Sequence, residues 1–101
     1  MIIKNVTRGT TVKFTSEFYN ANNEVITPAS PKLRVYYRSN NEYITVESDM
    51  TAEGALWTGS WDSSNADVGM VQWNISSSGV SEDGAFRLIA NHANFGTVNP
   101  I

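Results

Sequence analysis

Between Thr10 and Tyr19 the chain alternates. Val12, Phe14, Ser16 and Phe18 occupy every second position, and Thr11, Lys13, Thr15, Glu17 and Tyr19 fall between them. A helix repeats every 3.6 residues, so this spacing would scatter the apolar groups around its circumference. On a strand it gathers them on one face and leaves the polar groups on the other. A segment of this kind is half-buried, and it needs a second layer to cover its apolar side.

The same period returns along the chain. In Lys32–Arg38, Leu33, Val35 and Tyr37 are predicted to face inward, with Lys32, Arg34, Tyr36 and Arg38 outward. Ser39-Asn40-Asn41 reads as a tight turn, and Tyr43–Glu47 as the returning hairpin strand. Ala55–Trp61 places Trp57, Gly59 and Trp61 on one side, and Met70–Ile75 does the same with Val71, Trp73 and Ile75. Gly84–Ala90 is the last predicted strand, with Phe86, Leu88 and Ala90 inward, and Ile2–Val6 is a short opening one. Asn20–Asn23, the Pro28–Pro31 segment, Asp62–Val68, Ser76–Gly79 and Glu82-Asp83 read as turns or loops. About seven short strands with turn signals between them predict an all-β fold, an immunoglobulin-like sandwich of antiparallel strands. Residues 1–90 form that domain, and 91–101 form a C-terminal tail without period, expected to order only on binding.

The chain's 101 residues suffice for one core. The absence of cysteine removes disulfide scaffolds and thiol chemistry. Met1-Ile2-Ile3-Lys4-Asn5 opens no apolar signal-peptide core, so synthesis in a cytoplasm is expected, with no membrane span. A net charge of −3 argues against direct nucleic-acid binding. Six of seven basic residues precede Glu42, and eight of ten acidic residues lie from Glu42 onward, a polarity suited to oriented docking unless strand pairing interleaves the halves.

Catalytic signals are weak. His92 is the one histidine and lies in the tail, a poor place for a triad base. Asp62, Ser64, Asn65 and Asp67 crowd one loop without EF-hand spacing, so side-chain hydrogen bonding within a turn is expected over calcium. No phosphate loop is present. The chain is read as a non-enzyme with no catalytic, cofactor or metal residues. The candidate partner-binding residues are Lys32, Arg34, Tyr36 and Arg38, where bidentate donors surround an amphipathic ring, with Phe95, Val98 and Ile101 of the tail as apolar anchors. Tyr36, Tyr43 and Trp57 are the candidates for an alternative role, a carbohydrate-binding module that recognises host-surface glycans.

A further set of stretches points the same way. They are Arg8-Gly9-Thr10-Thr11-Val12-Lys13-Phe14, Phe18-Tyr19-Asn20 and the Pro28 loop before Leu33-Arg34-Val35. With them stand Gly54-Ala55-Leu56-Trp57-Thr58-Gly59-Ser60-Trp61-Asp62, Ala66-Asp67-Val68-Gly69-Met70-Val71-Gln72-Trp73 and Gly84-Ala85-Phe86-Arg87-Leu88. Together they resemble the small immunoglobulin-like structural proteins of tailed bacteriophages and prophages. The resemblance runs from Arg8 to about Ala90; Asp67-Val68 before Gly69 and the tail depart from it. It implies a virion component, a capsid decoration or head–tail accessory protein. Its partners would be the major capsid or other virion proteins, with further copies of the chain as candidates. The family carries no catalytic motif, so no residue inherits a role.

Overall fold

The computed structural model describes residues 4–77 and 79–90. The described residues form an all-β sandwich of eight strands: β1 (Asn5–Thr7), β2 (Thr11–Ser16), β3 (Lys32–Ser39), β4 (Glu42–Asp49), β5 (Thr51–Glu53), β6 (Leu56–Asp62), β7 (Gly69–Ser77) and β8 (Val80–Ile89). One sheet has the order β1-β8-β7-β3-β4 and the other β2-β6-β5.

The period-two reading places the core correctly. Phe14 of β2 and Trp61 of β6 project from the small sheet. Leu33, Val35, Val71 and Phe86 project from the large one, and all six are buried. Each such side chain removed from water contributes about 1.5–3 kcal/mol. The aromatic groups interlock: Phe14 meets Trp73 edge-on at 5.8 Å between centroids, and Tyr37 meets Trp61 at a tilt at 5.0 Å. Gly59 lets the sheets approach here, because a Cβ on it would stand 3.0 Å from Leu33 Cδ2.

Several expectations change. Among the described residues there are eight strands rather than seven, because the three residues of β5 are too short to show a period. Pairing is not wholly antiparallel: β1 runs parallel to β8, with Val6 opposite Leu88. The two lie at opposite ends of the chain, so no tight turn dictates their direction. Strand β2 ends at Ser16, although Phe18 remains buried and Tyr19 bridges Val25. Glu82 and Asp83 are not a turn; they lie within β8 opposite Ile75 and Asn74. The β7–β8 hairpin closes earlier, where Ser77 pairs with Val80 and Gly79 takes φ 83°. Trp61 is buried as expected, whereas Trp57 and Trp73 are half-buried. The tail, with His92, Phe95, Val98 and Ile101, lies outside the described residues.

Candidate functional site

Strand β3 lies between β7 and β4, so its outward side chains occupy the middle of an exposed sheet face. The β3–β4 register sets Asp49 opposite Lys32, Glu47 opposite Arg34, Thr45 opposite Tyr36 and Tyr43 opposite Arg38. This register decides what the basic stripe can do. Lys32 Nζ pairs with Asp49, and that hydrogen bond, then the carboxylate's charge, raises the lysine above its ordinary pKa. Arg34 Nε donates to Glu47 Oε2 at 2.7 Å, and its Nη1 donates to Ser76 Oγ at 3.3 Å. Lys32 and Arg34 are therefore engaged across strands. At these two rungs the basic first half and the acidic second half of the chain neutralise each other.

Arg38 differs. Its cross-strand neighbour is Tyr43, and its Nη2 donates to Tyr43 Oη at 2.7 Å while the guanidinium carbon lies 4.4 Å from the ring centroid. Among the described residues no carboxylate forms an ion pair with it. Tyr43 is 80% exposed. Beside the pair a surface recess of about 560 Å³ is walled by Tyr36, Arg38, Tyr43, Val68, Met70 and Gln72. Four exposed apolar or aromatic side chains, Tyr36, Tyr43, Val68 and Met70, thus gather in one place. Clustering of this kind marks interaction surfaces, whereas single exposed apolar residues do not.

The rim of the recess is built by a loop docked onto a turn. Asn40 and Asn41 take φ of 53° and 66°, left-handed angles that Asn tolerates and that suit a two-residue hairpin. Asp67 braces them: Oδ1 accepts from the Asn40 amide at 3.1 Å and Oδ2 from the Asn41 amide at 2.9 Å. The Asp67 amide donates to the Arg38 carbonyl at 2.7 Å, and the Ser39 hydroxyl donates to the Asn65 carbonyl at 2.6 Å. Val68 is carried to the recess by these bonds. At the other end of the loop, Asp62 Oδ1 accepts from the Ser64 hydroxyl at 2.6 Å and the Ser64 amide at 2.9 Å. These two bonds hold the Asp62 carboxyl below its ordinary range. The expected turn chemistry is therefore what the loop's oxygens perform.

The structure brings Tyr36 and Arg38 together in the recess and turns Lys32 and Arg34 to intramolecular pairs. Tyr43, considered from sequence for glycan stacking, joins the recess; Trp57 lies on the inward face of the other sheet and does not. Val68, Met70 and Gln72 were missed. The alternation of β7 does place Met70 and Gln72 outward, opposite Val71 and Trp73, but only pairing with β3 shows that they adjoin Tyr36. The recess offers aromatic faces, a thioether, and guanidinium donors beside them. That chemistry is complementary to an apolar group next to an acid. No family model matches this chain, and no curated protein or solved structure matches it significantly.

Proposed function

We propose that this protein is a bacteriophage virion structural protein, a capsid decoration or head–tail accessory protein, which works by protein–protein binding rather than catalysis. The observation that carries the binding role is the recess of Tyr36, Tyr43, Val68 and Met70 with Arg38 at its side. Aromatic residues, Met and Arg are the types enriched where proteins meet. The virion context rests on the sequence resemblance. The strand order lends support: β2-β6-β5 facing β8-β7-β3-β4 corresponds to the B-E-D and G-F-C-C′ orders of immunoglobulin-like sandwiches. The carboxylate nearest the recess, Asp67, has both oxygens occupied by turn amides, which suits a structural role better than acid–base work.

In this reading the recess docks on a virion protein that presents an apolar side chain beside a carboxylate, and repetition over the particle supplies avidity. Particles produced from the surrounding gene cluster should carry the protein through density-gradient purification. Met70→Asp, which sets a carboxylate in the recess without touching the core, should reduce its occupancy at least about tenfold, since it would compete for Arg38 and repel the acid of the partner. Purified particles free of the protein, or full occupancy of the variant, would overturn the reading.

One observation favours the carbohydrate alternative. Tyr36 and Tyr43 share the recess with the hydrogen-bonding groups of Gln72 and Arg38, a combination that also suits a sugar ring. Binding on a glycan array that disappears in Tyr43→Ala would establish that role instead.

A further inference from the structure

The sandwich has four sheet edges, and three are blunted. Strands β1 and β5 have three residues each. Strand β2 carries Lys13 at its middle, paired with Glu53 at 3.5 Å. Short strands and edge lysines are the usual guards against strand addition. Strand β4 has neither. It runs eight residues, Glu42–Asp49, and contains no Lys, Arg, Pro or Gly. Every one of its residues pairs in turn with β3, so no bulge twists it away. Among the described residues nothing pairs with its outer edge.

We propose that β4 is a self-pairing edge: two copies of this chain join β4 to β4, antiparallel about a two-fold axis, and fuse their five-stranded sheets into one. The strand's own sequence selects the second copy as occupant. With the axis at Thr45, perpendicular to the sheet, Thr45 meets its own counterpart. On the same outer face Tyr43 meets Glu47, and on the inner face Ile44 meets Val46, twice by symmetry. Val46 is 37% exposed at the rim of the sandwich, and Ile44 is half-buried. The pairing therefore covers apolar surface that the smaller sheet leaves open. A two-fold interface must be self-complementary in this way.

Charge permits the approach. In this register Glu47 faces Tyr43 and Glu42 faces Ser48, so no two carboxylates stand opposite, and Arg34 and Lys32 of the same copy already pair with Glu47 and Asp49. The basic stripe of β3 thus acts from behind to neutralise the edge. A single strand from each copy buries less than the about 1,200 Å² of a standard interface. The dimer is accordingly weak in dilute solution and is held by local concentration where copies are arrayed.

Thr45 supplies the test, because it is exposed and lies on the axis, so its replacement leaves the monomer's packing intact. Sedimentation velocity of the wild type should show a dimer fraction that grows with concentration up to about 1 mM, where an interface with Kd in that range is half populated. Thr45→Lys and Thr45→Glu should each remain monomeric, since like charges meet directly across the axis. An equimolar mixture of the two should recover the dimer. Circular dichroism checks that each variant keeps its sheets. A wild type monomeric at about 1 mM overturns the proposal, that being the weakest Kd it allows. So does a dimer that survives in either single variant, or a mixture that stays monomeric. The Met70→Asp variant should dimerise normally, which separates this edge from the docking recess.

Discussion

Gly84 stands opposite Trp73 in the β7–β8 ladder, and the indole occupies the space in front of it. A Cβ at this position would lie 2.2 Å from Trp73 Cζ2, 2.4 Å from Cε2 and 2.8 Å from Nε1. Ordinary contact begins near 3.4 Å, so in Gly84→Ala the ring must retreat by about 1.2 Å, the difference between 3.4 and 2.2. Its retreat is opposed by Phe14, whose ring meets it edge-on at 5.8 Å. Overpacking of this kind costs about 1–3 kcal/mol, and loss of the aromatic contact adds about 0.5–1.5 kcal/mol. The lower chain entropy of Ala in the unfolded state returns about 0.4–1 kcal/mol. With a clash this deep the net loss should be about 2–3 kcal/mol. Urea unfolding followed by tryptophan fluorescence should show the midpoint falling by about 1–2 M with the slope unchanged. In a Trp73→Leu background the same substitution should cost less than about 0.5 kcal/mol, because its opponent is gone. A neutral Gly84→Ala, or an equal cost in both backgrounds, would refute the reasoning.

Ser63→Ala should destabilise by about 1–3 kcal/mol in the same urea assay. The buried hydroxyl donates to the Thr10 carbonyl at 2.7 Å and accepts from the Gly9 amide at 2.9 Å, which ties the β1–β2 turn to the loop after β6. Asp62 is held below its ordinary pKa by Ser64, so its stabilising contribution is present above the unfolded pKa and is lost as pH falls through the lower folded value. Urea midpoints between about pH 5 and pH 2 should therefore fall less steeply in Asp62→Asn, which keeps the acceptor oxygen without the titration. Asp67→Ala should speed hydrogen exchange at the Asn40 and Asn41 amides and leave β8 unaffected, because only that turn loses its acceptors.

Much of this architecture can be read from residue order alone. Period-two alternation identifies β2, β3 and β7 and their buried faces, because side-chain direction in a strand depends on nothing beyond the strand itself. The Asn-rich turns are legible for a similar reason: left-handed backbone angles are a local preference of Asn. Strand β5 and the start of β8 are not legible. Thr51–Glu53 is too short for a pattern, and Glu82-Asp83 looks like a turn until the hairpin is known to close at Gly79.

What a side chain does after leaving the backbone was a tertiary decision. Sequence supplies a basic stripe in Lys32, Arg34 and Arg38. Register with β4 spends two of these on carboxylates and stacks the third on Tyr43. The recess joins the β3–β4 hairpin to β7 and the loop before it, two parts of the chain far apart in sequence, so no local pattern could reveal it. Local conformational preference lies in the chain and sets which residues turn inward. Neighbourhood across strands is created only when the sheets form, and it determines which exposed groups remain free to bind.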